Sequence, residues 1–305
     1  MRAVVTGGAG FVGSHVAEAL LARGDEVHVL DNLSTGSREK VPNGAELHVG
    51  DIRTDAATVF ERARPDVCFH LAAQADVGTS VERPAYDADV NVLGTLRVLE
   101  AARRHDAQVV FSSTGGAIYG ECDGPAPEEH ERRPISPYGI SKLAGEEYLL
   151  GWNRLHGTNH VGLRLGNVYG PRQESTLEGG VIAIFLDRMA ADEPIQIFGD
   201  GEQTRDFVYV RDVVGAALAA VDHPGGIVNV GTGVETSVNE LFEACRRVSG
   251  YEREAEYQPA RAGEILHSVI DRSRARAELD WTPERTLDEG LRETWDWVRS
   301  ATASA

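Results

Sequence analysis

Seven residues near the N-terminus, Gly7-Gly8-Ala9-Gly10-Phe11-Val12-Gly13, restrict the fold more than any other stretch of the chain. They follow a short β-branched run at residues 2–6. They precede a helical pattern that carries Leu20 and Leu21 and stops at Gly24. A second apolar run, Val27–Leu30, ends in Asp31. Strand, glycine turn, helix, strand and terminal acid make a unit whose turn lets a pyrophosphate approach backbone N–H groups at a helix N-terminus. The spacing is Gly-x-x-Gly-x-x-Gly at 7, 10 and 13, a departure from the usual Gly-x-Gly-x-x-Gly. Gly7, Gly10, Phe11, Val12 and Gly13 are read as the pyrophosphate cradle.

Asp31 then selects the dinucleotide. A carboxylate accepts from both ribose hydroxyls of NAD and repels a 2′-phosphate, so NAD is expected over NADP, with Arg38 near enough in sequence to soften that repulsion. Asn32, Ser34, Thr35 and Gly36, just past the strand, are assigned to the same wall. The alternation continues with Leu47–Val49, a strand running into Gly50-Asp51-Ile52, where Asp51 and Ile52 are suited to cover the adenine. Val67–His70 is another strand, followed by Leu71-Ala72-Ala73-Gln74, small residues that let backbone run close to a flat ring. A helix over 88–104 places Val90, Leu93, Leu96, Val98 and Leu99 at apolar positions, and Asn91 near its start is expected to brace a strand beside the cofactor. Gln108–Phe111 runs into Ser112-Ser113-Thr114-Gly115-Gly116, which puts hydroxyls at a strand's C-terminal end, where ligands bind in such sheets.

These repeats predict an α/β fold, a Rossmann-like doubly wound parallel sheet, over residues 1–170. Residues 171–305 change texture and are read as a smaller C-terminal substrate-binding lobe. Within them 203–232 is expected to return to the first domain, with strands at 208–210 and 228–230 rejoining the sheet around a helix at 212–221.

Composition narrows the partners. A net charge of −18 argues against nucleic acid and anionic membranes. No apolar run reaches membrane-spanning length, and the chain enters a strand pattern at once, so no signal peptide is expected. Cys68, Cys122 and Cys245 are scattered without a CxxC or a histidine pairing. They read as reduced thiols of a cytoplasmic protein, with no metal site expected.

Tyr138-Gly139-Ile140-Ser141-Lys142 carries the chemistry. Four residues apart on a helix, the phenol and the ammonium share a face. A nearby cation favours the phenolate, and lowering its pKa by about 3 units takes ~4 kcal/mol. Of 30 basic residues only Lys40 and Lys142 are lysine. A chain that otherwise writes arginine has kept the compact ammonium at 142.

With these motifs the whole chain resembles the extended short-chain dehydrogenase/reductase family, and within it the UDP-glucose (UDP-galactose) 4-epimerases. The resemblance rests on Thr6 through Gly13, Asp31-Asn32-Leu33, Gly50-Asp51-Ile52, His70-Leu71-Ala72-Ala73, Ser112-Ser113-Thr114, Tyr138 through Lys142, Asn167-Val168-Tyr169-Gly170-Pro171, and Gly199-Asp200-Gly201 through Arg205-Asp206. It implies that Tyr138 takes the C4 hydroxyl proton while hydride passes to NAD. Thr114 hydrogen-bonds the same oxygen, and Lys142 binds the nicotinamide ribose, near Ser112. It implies a transient 4-keto sugar that turns over and takes the hydride back on its other face. Asn167, Gly180, Val181, Phe198, Arg205 and Arg261 are implied to hold UDP, with Glu264 supporting the uridine ribose and Ser268 beside the sugar C2 substituent. A homodimer through helices 88–104 and 138–155 is implied in the same way.

The sequence departs from that pattern in places. The loop at Thr114-Gly115-Gly116-Ala117 is one residue longer than in the best-known members, which leaves Ser113 as a rival to Thr114. Ala75 stands where some members carry a lysine. Gly115-Gly116 replaces the Asp-Glu pair of the related 4,6-dehydratases. The rival readings are a UDP-glucuronate 4-epimerase or decarboxylase, a reductase that releases its cofactor, and an NAD-binding sensor without catalysis. Slippage of one residue would put His267 in the place of Ser268.

Overall fold

The computed structural model describes residues 1–175, 180–260 and 265–302. In chain order its strands are β1 (Arg2–Thr6), β2 (Glu26–Asp31), β3 (Glu46–Val49), β4 (Val67–His70), β5 (Gln108–Thr114), β6 (Val161–Leu165), β7 (Asn167–Tyr169), β8 (Gln196–Phe198), β9 (Thr204–Arg205), β10 (Phe207–Tyr209), β11 (Gly226–Val230), β12 (Thr236–Ser237) and β13 (Glu256–Gln258). Seven of them form one parallel sheet in the order β11-β6-β5-β4-β1-β2-β3. Chain order reverses between β1 and β4, and the crevice at that switch is where ligands bind in such folds.

The helices that matter for the site are α1 (Phe11–Ala22), α2 (Ala56–Ala63), α3 (Val77–Glu82), α4 (Pro84–Ala88), α5 (Gly94–Arg103), α6 (Gly115–Ile118), α7 (Pro137–His156), α8 (Val181–Ala190) and α9 (Val210–Ala219). Side chains alternate across the strands. Val5 and Phe69 face the core shared with α1 and α9, whereas Val4 and Cys68 face the core shared with α2 and α5. A third core, built on Ile182, Phe185, Leu186, Leu241 and Phe242, lies in the C-terminal half.

The helix expected over 88–104 begins earlier, at Pro84, and Asp89–Leu93 within it form a π-turn. Asn91 lies at the middle of that turn. The chain returns to the main sheet through β11, but the segment near 208 does not. Phe207–Tyr209 pairs in parallel with Asn167–Tyr169 in a separate two-stranded sheet. The reason is that β6 has β5 on one side and β11 on the other, so no edge is open there. The chain leaves the main sheet at Gly166, whose N–H donates to Val230 O at 2.9 Å, and Asn167 N then turns to Asp206 O at 2.7 Å.

Candidate active site

A cleft of about 920 Å³ opens at the C-terminal ends of β1, β2, β4 and β5. The glycine turn forms its floor. Gly7 has φ +72°, which favours glycine, and a Cβ there would lie 2.7 Å from Ala72 N. A Cβ on Gly13 would lie 2.1 Å from Gly7 O. These two glycines are therefore required for backbone packing. Gly10 is different, since a Cβ there would meet only Gly7 O at 3.2 Å. Gly10 also caps α1, whose first N–H groups have no partner within the helix. The turn thus presents donors on its open side, which is the chemistry a pyrophosphate needs.

At the next strand's tip Asp31 accepts from Ala9 N at 2.9 Å and from Leu33 N at 2.8 Å. Both oxygens are oriented by backbone and keep lone pairs for a ribose. Asn32, Ser34 and Thr35 line the cleft, while Gly36 packs beneath it, where a Cβ would lie 2.7 Å from Ala9 O. Asp51 and Ile52 line the same end. Hydrogen bonds from Arg53 hold the Asp51 carboxyl down at about 2, and Asn32 Nδ2 donates to it at 3.2 Å.

Leu71, Ala72, Ala73 and Gln74 line the cleft after β4. Asn91 does not line it and acts from behind. Its Oδ1 accepts from Gln74 N at 2.8 Å and its Nδ2 donates to Gln74 O at 2.9 Å. It clamps the loop as a strand neighbour would. The same amide donates to Asp87 Oδ1 at 3.0 Å. Asp87 is buried and was missed in the sequence, although it stands four residues before Asn91 on the helix. His70, buried between Thr6 Oγ1 at 2.7 Å and Thr95 Oγ1 at 3.0 Å, is kept neutral because burial drives its pKa to about 3.

Helix α7 forms the other side. Ser136 caps it, accepting from Gly139 N at 3.2 Å, and Pro137 begins it. Glycines let it approach closely: a Cβ on Gly139 would lie 2.6 Å from Ala117 O, and one on Gly145 would lie 2.9 Å from Phe111 Cζ. Tyr138, Lys142 and Glu146 follow at four-residue spacing on this face. Lys142 is buried, and its Nζ donates to Ser112 O at 2.8 Å, with the Phe111 ring centre 4.9 Å away. Burial lowers its pKa to about 8, against the carboxylates of Asp87 and Glu146.

The phenol of Tyr138 behaves differently from expectation. Burial, reinforced by Asp87, pushes it up to about 12, opposed by a hydrogen bond with Thr114. Lys142 donates to a backbone carbonyl and does not by itself hold the phenol down. The chain's own residues keep Tyr138 neutral.

Ser113 and Thr114 part company here. Ser113 Oγ donates to Glu146 Oε1 at 2.5 Å, in the buried network where Glu146 and Arg164 pair at 2.7 Å. Thr114 faces Tyr138. Beyond them, a Cβ on Gly115 would lie 2.8 Å from Ile270 Cγ2, and one on Gly116 would lie 3.3 Å from Asn167 Oδ1 and 3.9 Å from Ser268 Oγ. Asn167 and Ser268 thus meet at Gly116. Ser268 is buried, whereas His267 is half exposed, with its N–H donating to Glu121 Oε1 at 2.7 Å.

Gly180 lines the cleft and precedes α8, which Val181 begins. Phe198 on β8 and Arg205 on β9 sit in separate two-stranded sheets, outside the wall of this cleft. Arg261 and Glu264 lie outside the described residues. Ala260, just before them, packs against Gly199. Lys40 and Glu174 also line the cleft and form an ion pair across its mouth, a contact over 134 positions that no local pattern announces.

This arrangement can hold a dinucleotide along the sheet edge and put a neutral phenol, a hydroxyl and an ammonium at one end of it. A profile of the NAD dependent epimerase/dehydratase family matches residues 3–231. The chain belongs to that family. It is 46% identical to the putative UDP-glucose 4-epimerase of Methanocaldococcus jannaschii over 300 residues, 97% of this chain and 98% of the other. Among solved structures, UDP-glucose 4-epimerase of Thermotoga maritima with UDP-glucose superposes with TM-score 0.96 at 44% identity, covering 99% of this chain and 100% of that one. UDP-N-acetylglucosamine 4-epimerase of Methanobrevibacter ruminantium, in complex with UDP-N-acetylmuramic acid, superposes with TM-score 0.93 at 34% identity, covering 98% of both chains. The cofactor of this family member is NAD, and the open face of Gly10 and the oriented Asp31 fit it. Among the described residues no helix is long and apolar enough to cross a membrane.

Proposed function

We infer that this protein is an NAD-dependent isomerase that inverts C4 of a UDP-hexose, interconverting UDP-glucose and UDP-galactose. The observation that carries the reading is the pairing of Tyr138 with Thr114 at the end of a dinucleotide cleft. When bound, NAD supplies the acceptor and then the donor of the C4 hydride, so that the sugar passes through a 4-ketone. Tyr138 holds and returns the proton of the C4 hydroxyl, Thr114 orients that oxygen, and Lys142 supplies a cation at the ribose. Asn91 keeps the Gln74 loop in register with them.

Elimination of water fits poorly. An acid-base pair at 115 and 116 needs Cβ atoms, and the one at 115 would collide with Ile270. For the nucleotide, Asn167, Gly180, Val181, Phe198, Arg205, Arg261 and Glu264 are assigned to UDP, whose firm grip leaves the hexose free to turn. Ser268 is assigned to the sugar C2 substituent. Its small side chain, buried beside Asn167 and Gly116, supports admission of an N-acetylhexosamine as well as a plain hexose. The protein is proposed to act as a homodimer in the cytoplasm. Leu93 on the π-turn and Ile140, Tyr148 and Leu155 along α7 expose apolar surface on the helices that would pair.

The test is a panel of UDP-sugars incubated with purified protein and no added NAD, resolved by chromatography. UDP-glucose and UDP-galactose should reach the same mixture from either side, and UDP-N-acetylglucosamine should also turn over. Conversion of UDP-glucuronate alone would replace this reading with the uronate one.

A further inference from the structure

Away from the cleft, at the free edge of the main sheet, strand pairing builds a second polar cluster. Glu46 on β3 is paired with His28 on β2, and Glu26 and His48 lie two residues along their strands, so all four side chains share one face. Among the described residues this is a group in which His28, Glu46 and His48 each bring a donor atom within 4.8 Å of the others. His28 Nδ1 is 3.0 Å from His48 Nε2 and 3.5 Å from Glu46 Oε2, and His48 Nε2 is 3.6 Å from Glu46 Oε1. Ligands bound to zinc at about 2.0–2.1 Å in tetrahedral geometry stand roughly 3.3 Å apart. The triangle of donors has that size.

The surroundings suit a cation. Glu26 Oε1 lies 3.1 Å from His28 Nε2 and accepts its hydrogen, which leaves the lone pair on Nδ1, facing the triangle. A carboxylate behind a ligating histidine is the usual orienting partner at metal sites. His28 and His48 are largely buried, while Glu46 is half exposed and opens the triangle to solvent. From α2, Arg62 reaches Glu46 at 3.7 Å, a loose contact that a bound cation would displace.

We propose that His28, His48 and Glu46 form a binding site for a divalent transition metal of the zinc class, a clip that pins edge strand β3 to β2. Two imidazoles and one carboxylate favour zinc, nickel or copper over magnesium and calcium, which prefer all-oxygen sets. On binding, His48 moves its ring hydrogen from Nε2 to Nδ1, so both nitrogens facing the centre offer lone pairs. The clip has a consequence for the cleft, because β3 runs directly into Asp51 and Ile52.

The test is calorimetry of the full, tag-free, chelator-treated protein with zinc chloride at pH 7.5, alongside thermal unfolding with and without zinc. One zinc should bind and raise the unfolding midpoint, and magnesium should do neither. His48→Asn should weaken zinc binding at least about tenfold and abolish the shift in midpoint. Should His48→Asn unfold, Glu46→Gln, on an exposed side chain, carries the same comparison. No zinc binding in the wild type, or undiminished binding in the folded variant, would overturn the proposal.

Discussion

The wall that holds the cofactor and the proposed substrate wall beyond the cleft are built on different plans. The cofactor wall is the edge of one sheet, with β2, β1, β4 and β5 paired residue by residue and its turns closed by glycines whose Cβ atoms would strike backbone. The proposed substrate wall beyond it draws on three two-stranded sheets, β7–β10, β9–β12 and β8–β13, whose pairings are two or three residues long, and of these β7 reaches the cleft at Val168. In the first wall position is fixed by backbone, and at Gly13 any side chain is excluded. In the second, the recognition proposed above rests on single side chains such as Asn167 and Ser268, which meet at Gly116. Catalysis needs the first kind of construction, because a proton must be met at a set distance. Substrate range is proposed to be set by the second.

The sharpest way to break this contrast is at the meeting point of the walls. Tyr138→Phe keeps the packing and removes the proton acceptor. Turnover of UDP-galactose should fall by at least about a hundredfold while NAD binding, measured by calorimetry, is retained. Near-normal turnover would mean that the base lies elsewhere.

A change in the substrate wall should act on range and not on rate. Ser268→Tyr fills the space beside Gly116 with a phenol ring. Activity on UDP-N-acetylglucosamine should be lost and that on UDP-glucose kept within about tenfold, since a filled pocket excludes the larger group sterically. Equal loss of both would show that Ser268 is a packing residue.

The smallest effect is a titration. Because the chain has two lysines, protein labelled with 13C-lysine gives two sets of side-chain signals. One of them, missing in Lys142→Arg, should titrate near pH 8 in the cofactor-free protein, the charged form being present below that pH and lost above it. A midpoint at the ordinary lysine value would remove the burial argument for the catalytic face of α7.

How much of this is written locally follows from the same contrast. The glycine turn, Asp31 and the Tyr138–Lys142 pair are legible because a few adjacent residues decide them. Asn91, expected to brace a strand, clamps the Gln74 loop 17 residues before it, and neither that partner nor the π-turn around Asn91 is written locally. Ser113 and Thr114 look equivalent in sequence and are separated only by Glu146, 33 residues away from Ser113. Asp87, the Lys40–Glu174 pair and the His28–Glu46–His48 triangle depend on register between distant segments. The return of 203–232 was half legible: β11 has the strand pattern and an open edge to take, but β10 has the pattern without the edge. The depressed phenol pKa was also overread, because helical spacing fixes a shared face but not where the ammonium donates.

The proposed reaction breaks and remakes one C–H bond at C4 inside this cleft, with Tyr138 handling only the hydroxyl proton. UDP-glucose carrying deuterium at C4, converted in ordinary water and examined by NMR, tests it directly. UDP-galactose with the deuterium still at C4 is the expected product. Product with hydrogen from water at C4 would contradict it.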